Sequence, residues 1–252
     1  MRKLFYIAAV ALLTLGMASC HKDDENTNNN TNTNTNTPTN PTNPTDPTDP
    51  TNPNVPDGYV DLGLPSGLLW ATCNLGSTTP EGYGNYYAWG ETQTKTTYDW
   101  NTYAYGSDYN QLTKYCNNSE YGLNGFTDNL TTLQSSDDAV TAALGSGARI
   151  PTESEWEELK SNTTGEWTIQ NGVNGWKFTA TNGKSLFMPA AGYRDGSSLD
   201  YDGTGGYYWS SSLYESGPLY AWGMLFHSGG QYVDYIGSRY CGQSVRAVRS
   251  HN

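Results

Sequence analysis

Apolar residues in this chain come in short bursts, and few of them repeat at a helical period. Residues 59–64 and 68–72 alternate like strands and are split by Pro65-Ser66-Gly67, a turn signal. The aromatic run 85–89 is a further strand candidate, and 91–130 has no clear period, which predicts a long structured loop. Residues 136–145 predict a short helix capped at its start and stopped by Gly145. Segments 176–179 and 185–188 flank Asn182-Gly183, the best two-residue hairpin turn in the chain. A glycine-rich loop follows Arg194, then strand-like runs at 207–211, 219–226, 231–236 and 244–249, the middle pair turned by Ser228-Gly229-Gly230.

The strongest local signal is Arg149-Ile150-Pro151-Thr152-Glu153-Ser154-Glu155-Trp156-Glu157-Glu158-Leu159. Pro151 keeps Ile150 extended, Thr152 stands as N-cap, and Glu155 three residues on completes a capping box. Acids at the start suit the positive end of the helix dipole, and Trp156 with Leu159 marks one apolar face over 153–161. A helix this short needs a sheet to cover its aromatic side.

The front end has a different character. Residues 1–19 hold Arg2-Lys3, an apolar run too short for a membrane span, and small residues ending at Ala18-Ser19, the parts of an export signal. Cys20 follows at once. Leu15-Gly16-Met17-Ala18-Ser19-Cys20 resembles a lipoprotein signal with Cys20 as the acylated (palmitate-type) residue; the alternative is a plain cleavable signal with an incidental cysteine. His21-Lys22-Asp23-Asp24-Glu25 resembles the surface-export signal of lipoproteins in the Bacteroides group, or is a polar spacer. From 26 to 57, Asn/Thr repeats give way to proline at every third position. Such a tract buries nothing, favours extended polyproline II, and predicts a disordered stalk of up to roughly 100 Å. A PxxP ligand is the other use of this spacing.

Net charge is −12, and removing Arg2 and Lys3 with the leader makes it about −14. Such a surface repels nucleic acid and anionic headgroups, so neither is an expected partner. Charged residues are only 15%, while Gly 28 and Tyr 20 make the chain turn-rich and aromatic-rich.

Six stretches carry a family resemblance in order along 59–249: Val60-Asp61-Leu62-Gly63-Leu64-Pro65-Ser66-Gly67-Leu68-Leu69-Trp70-Ala71-Thr72; Tyr86-Tyr87-Ala88-Trp89-Gly90-Glu91; the helix motif at 149–157; Leu186-Phe187-Met188-Pro189-Ala190-Ala191-Gly192-Tyr193-Arg194; Gly206-Tyr207-Tyr208-Trp209-Ser210-Ser211-Ser212; and Gly242-Gln243-Ser244-Val245-Arg246-Ala247-Val248-Arg249. Together they resemble the Fibrobacter succinogenes major paralogous domain, related to formylglycine-generating sulfatase-modifying domains. The resemblance implies an α+β, C-type-lectin-like fold of short antiparallel strands and two short helices over 58–252, behind a signal peptide at 1–19 and a stalk at 20–57.

The sulfatase-modifying relatives imply copper held by two nearby C-terminal cysteines, and only Cys241 lies in that region. The three histidines, His21, His227 and His251, make a poor zinc site or triad. The sugar-binding lectin signatures Glu-Pro-Asn, Gln-Pro-Asp and Trp-Asn-Asp are missing. Asp195, Asp200 and Asp202 could hold calcium on a loop or simply form a solvated turn. No catalytic residue, metal or cofactor is therefore assigned. Which of Cys73, Cys116 and Cys241 pair, if any, stays open. Aromatics crowd 214–240, the composition of recognition loops. Alternation along 231–236 puts Tyr232 and Asp234 on one face, and Gln231, Val233 and Tyr235 on the other, with Val233 marking the inner side. Tyr232, Asp234, Tyr214 and Tyr240 are the expected ligand-binding residues. The expectation is a monomeric, non-catalytic, lipid-anchored outer-membrane protein that binds a glycan or protein at the cell surface. The alternatives are a structural subunit of a surface assembly and, with its second cysteine missing, a sulfatase-modifying enzyme.

Overall fold

Most of the sequence's short apolar bursts become strands, paired with neighbours that are often polar. This computed structural model describes residues 55–251; the leader, Cys20 and the tract up to residue 54 lie outside the described residues. The elements run β1 (Tyr59–Asp61), β2 (Leu69–Asn74), α1 (Ala139–Leu144), β3 (Ala148–Arg149), α2 (Glu153–Ser161), β4 (Thr163–Gln170), β5 (Val173–Ala180) and β6 (Ser185–Pro189), then β7 (Ala191–Asp195), β8 (Ser198–Asp202), β9 (Gly205–Leu213), β10 (Tyr220–His227), β11 (Gly230–Ser238) and β12 (Arg246–Arg249). They form three sheets, ordered β1-β2-β12-β3, β4-β5-β6 and β11-β10-β9-β7-β8. Strand neighbours are antiparallel except β7 and β9, which meet in parallel at Gly192 and Gly206. The architecture is α+β, mostly antiparallel sheet with two short helices.

Helix α2 follows the local chemistry of its sequence. The Glu155 amide donates to Thr152 Oγ1 at 3.3 Å, and the Thr152 amide donates to Glu155 Oε2 at 2.8 Å, closing the capping box. Arg149 grips the same carboxylate with both nitrogens, at 2.6 and 2.7 Å. Burial pushes Glu155 up, but Arg149 and the cap outweigh it and hold the carboxyl below its usual range. Trp156 and Leu159 are fully buried. The Trp156 ring lies 4.9 Å from that of Trp70, and its Nε1 donates to the Trp209 carbonyl at 3.3 Å. Through these contacts the helix joins β2, β9, Met224 and Phe226 of β10, and Val233 of β11 in one core. Helix α1 is capped by Asp138, which accepts from the Val140 and Thr141 amides and also from Ile150.

Residues 91–130 make only single 3-10 turns, at Trp100–Thr102 and Leu123–Gly125. One buried arginine holds this irregular half, and a second ties the sheets together. Arg239 is fully buried; it donates to the carbonyls of Tyr115, Pro218 and Lys114 and to Tyr103 Oη, all within 3.0 Å. Its guanidinium also lies 5.0 Å from the Trp89 ring and 5.3 Å from that of Tyr103. Arg246 donates to Asn74 and to the carbonyls of Ala71 and Phe187, tying β12 to β2 and β6. Neither forms an ion pair among the described residues. Each charge is satisfied by fixed dipoles.

Several expectations need correction. The run 85–89 is not a strand; Tyr87 makes one isolated bridge to Gln243. Residues 163–170, with no strand expected, form β4, and the stretch after Arg194 expected as loop carries the β7–β8 hairpin. The two-residue hairpin turn falls at Asn171-Gly172, both at positive φ (47° and 83°), joining β4 to β5. Asn182-Gly183 instead sits in a three-residue loop closed by the Ala180 amide on the Lys184 carbonyl at 2.9 Å, with Gly183 alone at positive φ. An isolated Asn-Gly does not determine its loop length, because the flanking register does.

Truncating Trp156 removes the ring that three strands pack around. Trp156→Ala is expected to cost about 3–5 kcal/mol, and Thr152→Ala about 1 kcal/mol. Equilibrium denaturation checks both; a Trp156→Ala midpoint equal to the parent's would mean that α2 does not pack as described.

Candidate ligand-binding face

The five-stranded sheet has two unlike faces. On one, Tyr208, Met224, Phe226 and Val233 point into the core beneath α2. On the other, pairing sets Tyr207 of β9 beside Leu225 of β10 and Leu225 beside Tyr232 of β11. Two residues along β10, Gly223 pairs with Tyr235, so three residues of β11 span what two of β10 span. This is a β-bulge, and it turns Tyr235 onto the same side as Tyr232. The expectation that Tyr235 shares the inner face with Val233 is therefore corrected. Its ring lies over Gly223, where a Cβ would sit 3.1 Å from the ring, and Gln243 Nε2 donates to its hydroxyl at 2.9 Å.

This outer face carries a run of tyrosine rings. Tyr193 of β7 lies 4.9 Å from Tyr207 and stacks on Tyr201 of β8 at 6.0 Å. Tyr201 also touches Tyr207 at 5.9 Å, and Tyr207 touches Tyr235 at 5.5 Å. Tyr201 is 59% exposed and sits at φ +60°, a conformation that costs a bulky side chain energy. Burial, then the neighbouring Tyr201 and Tyr193, pushes the Tyr207 phenol to about 12, so that ring is neutral at physiological pH. Edge-to-face rings at these spacings support one another and leave part of each free. The surface they make is broad, apolar in body and hydroxyl-tipped.

Of the four residues expected from sequence, Tyr232 and Asp234 are exposed on β11, as the alternation predicts. The Tyr232 ring tilts over His227 at 5.4 Å, at the hairpin tip. Tyr214 packs edge-on against Trp222 at 4.9 Å, and Tyr240 against Trp100 at 5.1 Å. The three tyrosines thus rest on three different partners and do not meet as one site. Tyr201 was missed because its stretch reads as glycine-rich loop, and Tyr193 and Tyr207 because nothing in the one-dimensional pattern shows that β7 and β9 are neighbours. The available signal was the spacing of three tyrosines over fifteen residues beside Ser and Asp alternation at 198–202.

Cys73, Cys116 and Cys241 are all free thiols. Burial, followed by the Asp195 carboxylate, pushes Cys241 to about 12, so it is a protonated thiol at neutral pH. Asp195, Asp200 and Asp202 spread along the β7–β8 hairpin, and among the described residues no group of three or more His, Cys, Asp or Glu could hold a metal ion. No helix among them is long and apolar enough to cross a membrane.

The profile of a family described as a domain of unknown function (DUF8237) matches residues 173–250, a stretch running from β5 through β12 that contains the whole tyrosine run. No curated protein and no solved structure matches the chain.

The thiol environments differ enough to be read directly. Cys73 is half-buried, whereas Cys116 and Cys241 are buried with raised thiols. An alkylating reagent at neutral pH is expected to label Cys73 first and the other two only on unfolding. Labelling of native Cys241 as fast as Cys73 would contradict the burial described.

Proposed function

We propose that this chain is a surface-displayed outer-membrane lipoprotein of the Fibrobacter succinogenes major paralogous domain type, and that it works by binding a glycan or protein ligand without catalysis. The observation that carries the binding reading is the run of touching rings Tyr201, Tyr193 and Tyr207 on the outer sheet face, with Tyr201 exposed and Tyr235 held under Gln243 at its inner end. Aromatic planes offer stacking area to the C–H face of a sugar ring, their hydroxyls offer partners to its hydroxyls, and a tyrosine held by its neighbours loses little entropy on binding. Tyr232 extends the surface toward the hairpin tip. The C-type-lectin-like fold belongs to the same reading. Its support is the ordered motifs, the short antiparallel strands, and the last strand β12 pairing beside the first hairpin β1–β2. The Cys20 signal and the proline-spaced tract would hold such a face away from the membrane.

The test has two arms on the full chain in detergent. Mass spectrometry of the mature N-terminus is expected to find acyl chains on Cys20; an unmodified Cys20 or another start rules out the anchor. A glycan array and a partner pull-down then compare the parent with Tyr201→Ala and Tyr232→Ala. Loss of a central aromatic is expected to weaken binding roughly thirtyfold. Melting temperatures should hold for both exposed residues. Parent binding that both variants keep would place the ligand on another face.

A further inference from the structure

On the far side of β7 from Tyr193, Arg194 opens into a hollow of about 330 Å³ walled by Tyr86 and Tyr98 and rimmed by Asn85, Thr94, Lys95 and Thr96. The walls are fixed. Tyr86 Oη donates to the Ala191 carbonyl at 2.6 Å, Tyr98 Oη donates to the Tyr86 carbonyl at 2.7 Å, and the Tyr98 ring lies against Gly242, where a Cβ would come within 2.6 Å of it. The Arg194 backbone exchanges two hydrogen bonds with Gly242, at 2.7 and 2.9 Å. Lys95 is committed to Glu91 at 2.8 Å and to the Thr102 carbonyl at 3.0 Å. Arg194 is not. Its guanidinium rests 5.1 Å over the Tyr86 ring and has no hydrogen bond or ion pair to any described residue. Arg149, Arg239 and Arg246 all donate to protein oxygens.

A half-buried guanidinium held over an aromatic face, with its donors unused, is set to receive two oxygens from outside. Burial raises the Tyr86 phenol, the neighbouring Tyr208 adds to it and the Arg194 charge pulls it back; burial likewise raises Tyr98. Both walls are therefore neutral at physiological pH, and the Glu91 carboxylate nearby is taken up by Lys95. Thr94, Thr96 and Asn85 add neutral donors and acceptors at the rim, suited to hydroxyls beside the charge. We infer that this hollow binds an oxyanion, a carboxylate or sulfate ester, carried on a hydroxylated ring such as an acidic sugar. The sugar part of this inference rests on the glycan reading above; the oxyanion part does not.

The experiment uses the full chain in detergent and three probes: methyl glucuronide, glucose 6-sulfate and methyl glucoside. Binding is followed by NMR at the Arg194 side-chain Nε–Hε and at the Tyr201 ring. The anionic probes are expected to shift the Arg194 signal and to bind at least tenfold tighter than the glucoside, as charge-assisted hydrogen bonds require. Their relative strength decides between carboxylate and sulfate. Arg194→Gln should remove that tenfold advantage with an unchanged melting temperature, and Arg194→Lys, which keeps charge but not the fork, should restore only part of it. Equal affinity for glucuronide and glucoside, or an Arg194→Gln variant that binds glucuronide like the parent, overturns the inference. A glucoside that shifts Tyr201 while no anion shifts Arg194 would defeat this site and leave the tyrosine face standing; an anion at Arg194 with a silent Tyr201 would do the reverse.

Discussion

The structure depends on a charge buried without a counter-charge. Arg239 has no carboxylate partner among the described residues, and its four hydrogen bonds run to three backbone carbonyls and one phenol drawn from segments far apart in sequence. Burying a cation this way costs several kcal/mol unless every donor finds a fixed acceptor. The segments around Lys114, Tyr115 and Pro218 must therefore hold one arrangement. Trp89, Tyr103 and Tyr115 add their ring faces, which attract the same charge. Residues with no periodic pattern thus acquire a definite position without regular secondary structure.

That constraint reaches the sheet. Arg239 immediately follows β11, and the residues beyond it, Tyr240 to Val245, cover part of the outer face, with Gln243 bonding Tyr235 and Trp209 Nε1 bonding the Tyr87 carbonyl at 2.8 Å. Beyond this cover Tyr201 stands exposed, with Tyr193 and Tyr207 half-buried beside it. Arg246 acts on the other side, locking β12 to Asn74 and Ala71 so that the last strand closes the first sheet. Three arginines thus have three roles. Two are satisfied within the protein and organise it, and Arg194, which has no acceptor among the described residues, opens outward.

Legibility from sequence followed the range of the interaction. The capping box of α2, a capped α1 ended by Gly145 and the burial of Trp156 are set within a few residues and were readable, although α1 begins at Ala139, three residues later than the pattern suggests. The β4 strand and the β7–β8 hairpin were not, because their residues are polar or glycine-rich and become strands only against β5 and β9. Tyr235 shows the limit most clearly. Simple alternation puts it with Val233, and the extra residue in β11, visible only through pairing with β10, reverses it. Exposure of Tyr232 and Asp234 was legible because they lie before or within that bulge. Nothing in the one-dimensional pattern marks Arg239 as buried, since its acceptors are carbonyls brought together by the fold.

Native-state hydrogen exchange tests the arginine constraint most directly. The amides of Leu112, Thr113, Leu123, Asp128 and Leu133 bond within or from the irregular half. They are expected to open with free energies close to those of β9 and β10, because the half is held as one unit with the sheet. In Arg239→Met, which keeps bulk but removes the donors, these amides should lose protection while those of β4 and β5 keep theirs. Exchange of the same amides at free-chain rates in the parent, or protection unchanged by Arg239→Met, would contradict the account.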